Sequence, residues 1–155
     1  MIRPLIAADI PSLMNLWLSE TARAHPFIRE TYWQDNYKLV RDQLLPQAQT
    51  YVCIDRHKLK GFISLLEGNY IGALFVAPQY QNQKLGTKLL KYLLRRRSSA
   101  SLNVYAQNQQ AIDFYHRRGF KIVREQVDEA AGATELLMSW AKGSKNGVIR
   151  RRGES

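Results

Sequence analysis

The chain has 155 residues, of which 45% are hydrophobic and 23% charged. That composition suits one soluble domain with a real core and excludes a disordered polyelectrolyte. The formal net charge of +10 favours a polyanionic partner, whether nucleic acid, anionic lipid or a phosphate-rich cofactor, and does not choose among them. A single cysteine, Cys53 in the strand-like run "TYVCI", excludes an intramolecular disulfide and fits a reducing compartment; its plain role is that of a small buried hydrophobe. No apolar run reaches the length of a membrane span. The N-terminal "MIRPLIAADIPSLMNLWL" is broken by Asp9 and Pro11, which makes a poor signal peptide. A cytoplasmic protein is the expectation, with no membrane partner.

In chain order, a short apolar start at Ile2–Ile6 precedes a helix over "ADIPSLMNLWLSE", with Asp9 as its cap and Leu13, Leu16 and Trp17 on one face. "TARAHPFIRE" reads as a loop because Pro26 biases His25 away from helix. A second helix is expected from Thr31, with Trp33, Tyr37, Val40 and Leu44 as its face and Pro46 as its end. The period then changes to two. "TYVCI", "LKGFISLL" and "YIGALFV" read as three antiparallel strands, and Pro78 stops the third. "QYQNQKLG" is a polar loop, and "TKLLKYLLRRR" a helix with Leu90, Leu93 and Leu94 inward. "SLNVY" is a strand, "NQQAIDFYHRRGF" an amphipathic helix stopped by Gly119, and "FKIVREQV" with "TELLMSW" a final strand pair. The expected fold is α/β, a mixed sheet of six to seven strands with about four helices, in one domain over 1–141. Residues 142–155 carry Lys142, Lys145, Arg150, Arg151 and Arg152 against Glu154 alone and read as a basic, disordered tail.

The junction "ALFVAPQYQNQKLGTKLL" runs from strand through loop to helix, with the helix starting at or just before Gly86. A helix N-terminus offers unpaired N–H groups that suit a phosphate, and Lys84, Lys88 and Lys91 add charge. Alone, that signal is weak. Some twenty residues on, however, comes "NVYAQNQQAIDFYHRRGF". The pair resembles the GNAT superfamily of acetyl-CoA-dependent N-acetyltransferases. The second signature, Asn-x-x-Ala-x-x-Phe-Tyr-x-x-x-Gly-Phe, is met at Asn108, Ala111, Phe114, Tyr115, Gly119 and Phe120. Of the loop signature, Gln81 and Gly86 are kept, while Lys84 stands where the family has its first glycine. The stretches "HPFI", "YW", "EG" and "LFVAP" are most similar to small bacterial YiaC-type members.

The resemblance implies acetyl-CoA as co-substrate, no metal, and a sheet splayed between "ALFV" and "SLNVY" to hold the pantetheine arm. It assigns the cofactor to Phe75, Val76, Gln81, Asn82, Lys84, Gly86, Thr87, Asn108 and Tyr115. It makes Tyr115 the acid that serves the departing thiolate, although periodicity by itself leaves that ring a core contact. "YIGALFV" has no carboxylate, so Glu67 is the candidate base, with a turn role as the alternative, and His25 is the second candidate. His25, Phe27, Tyr32, Trp33, Glu67 and Tyr70 are the candidate acceptor residues, an aromatic wall with one carboxylate that suits an ammonium. Phe27 and Trp33 fit the core equally well. Arg95, Arg96 and Arg97 read as a solvated helix end. The implied reaction is acetyl transfer to a primary amine by direct attack in a ternary complex, with protein lysine favoured as acceptor over a small-molecule amine. A non-catalytic acetyl-CoA or nucleic-acid binding module is the alternative from another class.

Overall fold

The structure is a computed structural model that describes residues 1–143; most of the basic tail, 144–155, lies outside the described residues. One seven-stranded sheet runs in the order β1-β2-β3-β4-β5-β7-β6. The strands are β1 (Ile2–Pro4), β2 (Gln49–Asp55), β3 (Lys58–Leu66), β4 (Tyr70–Val76), β5 (Ser99–Tyr105), β6 (Lys121–Asp128) and β7 (Ala133–Ala141). The three expected antiparallel strands are β2, β3 and β4, and the final pair is β6 and β7.

Helices cover both faces. Helix α4 (Leu85–Leu94) buries Leu85, Leu89, Leu90, Leu93 and Leu94, which join Ile63, Leu102, Phe120 and Met138 in one cluster. Helix α5 (Gln109–Arg117) adds Tyr115 to the same cluster. On the other face, α1 (Ile10–Ala24) and α2 (Glu30–Asp35) pack Leu13, Met14, Trp17 and Trp33 against Val52 and Phe62. Each such fully buried side chain contributes about 1.5–3 kcal/mol of transfer free energy.

Three local expectations are corrected. Asp9 does not cap α1. Its carboxylate accepts from the Arg3 guanidinium (2.8 Å) and from the Ile6 amide (3.0 Å), latching β1 to the helix start. Helix α1 also continues through Thr21–Ala24 to a C-cap at His25, so half of "TARAHPFIRE" is helical, and Pro26 acts only on the residue before it. The second helix is not continuous. It breaks at Asn36, resumes as α3 (Tyr37–Leu39), passes into a π-helical turn at Val40–Leu44 and ends as a 3-10 turn, Leu45–Gln47. The wider π turn rotates the face, so Leu45 is buried while Leu44 is exposed.

The sheet opens at its centre. Strands β4 and β5 run parallel and pair only at Tyr70 and Ser101. Beyond that point β4 follows β3 and β5 follows β7, each with full pairing on its outer side. Gly72 sits as an extra residue in β4, since Leu65 faces Ile71 and Ser64 faces Ala73. Such a bulge bends the strand. Glycine fits there because a β-carbon would press on Leu66 at 3.0 Å.

Candidate active site

Two cavities meet at this opening. The first, about 340 Å³, lies between the opened strands and the α1–α2 side. The second, a cleft of about 650 Å³, runs along the end of β4 and the starts of α4 and α5. Leu74, Phe75, Asn108, Ala111 and Tyr115 line both.

The cleft collects positive charge. Arg23, Lys84, Arg117 and Arg118 line it, against the single carboxylate of Glu20. It also contains the first turn of α4, whose leading N–H groups have no partner within the helix. Lys84 is the N-cap of that helix and holds φ 62°, ψ 23°. The position given to glycine in the family is thus left-handed here, and lysine adopts it. Asn82 is left-handed as well, at φ 69°. A β-carbon on Gly86 would meet Phe114 at 3.5 Å, an ordinary contact, so the fold itself does not demand glycine there. Gln81 donates to the Val76 carbonyl at 2.9 Å and reaches Glu20 at 3.3 Å. Arg118 lies 3.9 Å over the Phe114 ring and donates to Thr87 Oγ1 through Nε at 3.0 Å.

The first cavity has the opposite character. Among the described residues its one charged lining residue is Glu135, set among Tyr32, Trp33, Tyr70 and Tyr105. His25 Nδ1 is 2.7 Å from the Thr21 carbonyl, so it carries the proton, and Nε2 presents its lone pair to Asn108 Nδ2 at 3.4 Å. Burial holds the His25 pKa below its usual value and keeps the ring neutral. Asn108 is oriented by its own helix: its Oδ1 accepts from the Ala111 amide at 3.2 Å and caps α5. Asn103 donates to Tyr70 Oη at 2.7 Å. Two buried polar atoms of this wall, Trp33 Nε1 and Asn103 Oδ1, have no hydrogen-bond partner.

Tyr115 is the partition between the two. Its ring packs edge-on against Phe114 and Phe120, and burial raises its phenol pKa well above the ordinary value, an effect that Arg118 partly offsets. The hydroxyl therefore keeps its proton. The helix stops just beyond: the Phe120 amide bonds back to the Tyr115 carbonyl at 3.0 Å, and Gly119 holds φ 96° with Trp140 at 3.2 Å from where a β-carbon would sit.

Of the residues expected from sequence, Phe75, Val76, Gln81, Asn82, Lys84, Gly86, Thr87, Asn108 and Tyr115 line the cleft. His25, Tyr32, Trp33 and Tyr70 line the first cavity. Two expected residues fall elsewhere. Glu67 is exposed in the β3–β4 turn, where Gly68 and Asn69 take positive φ, and it lines neither cavity. Phe27 packs edge-on against His25 and Tyr105 from behind and lines neither cavity. Sequence reasoning missed Asn103, Tyr105, Glu135 and Arg118. Asn103 and Tyr105 had a signal, since "SLNVY" alternates and leaves one polar face on its strand; Glu135 had none, because "TELLMSW" does not alternate. Arg118 had none, lying past the helical period.

Residues 22–142 match the acetyltransferase (GNAT) domain, and the chain belongs to that family of N-acetyltransferases. It is 39% identical over 140 residues to "Peptidyl-lysine N-acetyltransferase YiaC" of Escherichia coli (strain K12), covering 90% of this chain and 96% of that protein. It is 33% identical over 127 residues to "Peptidyl-lysine N-acetyltransferase YjaB" of Salmonella typhimurium, covering 81% and 86%. The solution structure of apo YjaB from Escherichia coli superposes with a TM-score of 0.77 at 29% identity, over 90% of this chain and 96% of that one. In fold alone, the PaiA N-acetyltransferase of Thermoplasma acidophilum, solved with coenzyme A, is similar at a TM-score of 0.76 and 22% identity, over 91% and 98%.

Proposed function

We propose that the protein moves the acetyl group of acetyl-CoA to the side-chain amine of a peptidyl lysine, by direct attack with both substrates bound. The observation that carries this reading is the position of Tyr115, one protonated phenol lining both a cationic cleft and an acidic, aromatic cavity. The cleft suits a polyphosphate: four cations and the free amides of the first α4 turn. Acetyl-CoA supplies an activated acyl thioester when bound.

The chain's residues divide the remaining work. Arg118, Lys84 and the α4 amides hold the phosphates, and Phe75 and Val76 flank the arm along the unpaired side of β4. Asn108 stands where cleft and cavity join, its amide fixed by the α5 cap and His25. The acceptor loses one proton to solvent and attacks as the neutral amine; as the C–N bond forms and the C–S bond breaks, Tyr115 donates its proton to the leaving sulfur and is reprotonated at the expense of the acylated nitrogen through solvent. Direct attack is favoured over a covalent acyl-enzyme because Cys53, the chain's one thiol, is buried in the core and lines neither cavity. The names of the peptidyl-lysine relatives favour lysine as acceptor.

The test is turnover of acetyl-CoA with lysine-containing peptides, following thiol release and locating the acetyl group by mass spectrometry. Intersecting initial-rate lines and label on the lysine Nε are expected. Parallel lines would reject direct attack, and label confined to the peptide N-terminus would reject lysine.

A further inference from the structure

The first cavity contains a carboxylate and an amide oxygen that the fold leaves available. Glu135 Oε1 accepts from Gln126 Nε2 at 2.7 Å, while Oε2 makes no hydrogen bond among the described residues. Asn103 Oδ1 is buried and unpartnered, with its amide nitrogen tied to Tyr70. The neighbouring carboxylate is not free in this way: Asp128 accepts from Tyr105 Oη at 2.9 Å and from the Ala131 amide at 3.3 Å.

We propose that Glu135 Oε2 and Asn103 Oδ1 together form the seat of the acceptor's ammonium group, an inference that rests on the amine-acetylation reading above. Register brings them together. Tyr105 pairs with Glu135 across β5 and β7, and Asn103 stands two residues before Tyr105, on the same face of the sheet. Diagonal neighbours of this kind are about 7–8 Å apart at the backbone, so both heads can converge on one nitrogen. An ammonium has three N–H donors and satisfies both oxygens at once, whereas a hydroxyl has one and leaves the other unmet. Among the described residues no lysine or arginine lines this cavity to compete for the carboxylate. Tyr32, Trp33, Tyr70 and Tyr105 line the same cavity, and aromatic rings attract a cation. Burial first, and the charge of Glu135 as a lesser contribution, raises the phenol pKa of Tyr32, Tyr70 and Tyr105.

Two readouts test the seat separately from turnover. In the first, n-butylammonium and its neutral counterpart n-butanol are titrated into the full-length protein, with binding followed by tryptophan fluorescence. The ammonium is expected to bind to the wild type, and Glu135→Gln to weaken it roughly 10- to 100-fold, the worth of a hydrogen bond to a charged group. n-Butanol should be indifferent to the change. In the second, Glu135→Gln should raise the KM of a lysine peptide by a similar factor and leave the KM of acetyl-CoA unchanged. Asn103→Asp in the Glu135→Gln background returns a carboxylate to the seat and should recover ammonium affinity. Asn103→Asp alone should tighten it, which keeps the proposal testable if Glu135→Gln fails to fold.

Peptide turnover with an ammonium affinity and amine KM unmoved by Glu135→Gln would overturn the seat and leave the lysine reading standing. Ammonium binding that depends on Glu135, without turnover of any lysine peptide, would support the seat and refute that reading.

Discussion

Asn108 Nδ2 lies 3.4 Å from His25 Nε2 across 83 residues of sequence, tying the end of α1 to the start of α5 beneath both cavities. The contact needs a neutral ring, because a protonated Nε2 would face the amide donor with a second donor. Burial lowers the His25 pKa. For a group depressed in this way, stability is complete above the unfolded value of about 6.5 and falls as the pH drops towards the folded pKa. Thermal melts from pH 8 to pH 5 should therefore show wild-type Tm falling below about pH 6.5. His25→Gln, which cannot titrate, should show a flatter profile over the same window. Parallel profiles would remove the ring as the cause.

Tyr115→Phe isolates the hydroxyl from the ring. The ring packs in the core, so the variant should fold and bind acetyl-CoA with a KM within about threefold of wild type. Its kcat should fall by about 100-fold or more, the usual range for loss of a positioned acid. Since burial raises the phenol pKa, wild-type kcat should show no falling limb from this group between neutral pH and the ordinary tyrosine value of about 10. An unchanged kcat in Tyr115→Phe would confine the residue to packing.

Lys84 holds a backbone conformation that costs a non-glycine residue about 1–2 kcal/mol. Lys84→Gly relieves that strain against the greater chain entropy of glycine, for a net gain of up to about 1 kcal/mol in chemical denaturation. Lys84→Ala keeps the strain and should gain nothing. The same pair separates backbone from charge in the cleft, because both variants lose the ammonium and only one changes the strain.

Gly61 backs strand β4 across its pairing with Val76. A β-carbon there would lie 2.7 Å from the Phe75 carbonyl oxygen and 3.3 Å from Leu89. Gly61→Ala must push β4 away from β3 and should cost about 1–3 kcal/mol of stability, as overpacking does. Because Phe75 lines both cavities, the KM for acetyl-CoA should rise along with the lost stability. A destabilised variant with an unaltered KM would show that β4 absorbs the clash without moving its far edge.

The succession of strands, helices α4 and α5, and the lining of the cleft were legible because each rests on a local signal: period-two runs, the α4 leucines, a loop with Gly86, and the signature ending at Gly119 and Phe120. The π turn at Val40–Leu44 was not legible, since a change of helical pitch leaves a regular apolar spacing in place and moves the buried face from Leu44 to Leu45. The acceptor side was half legible. His25, Trp33 and Tyr70 were found, while Glu67 was chosen as the carboxylate because it stands just before β4. The carboxylate in the cavity, Glu135, arrives from β7 through pairing that spans the sheet, and sequence adjacency carries no trace of such long-range register.

The lone negative charge of the first cavity has a consequence for what leaves it. An amine enters as a cation; once acylated it is a neutral amide, with two fewer hydrogens on nitrogen than the ammonium had. Its one N–H can meet either Glu135 Oε2 or Asn103 Oδ1 and leaves the other without a donor, so the proposed seat holds the product less well than the substrate. On the proposed seat Glu135 makes turnover self-clearing: product inhibition by the acetylated peptide should be weak, and re-entry of modified chains disfavoured, without any moving part.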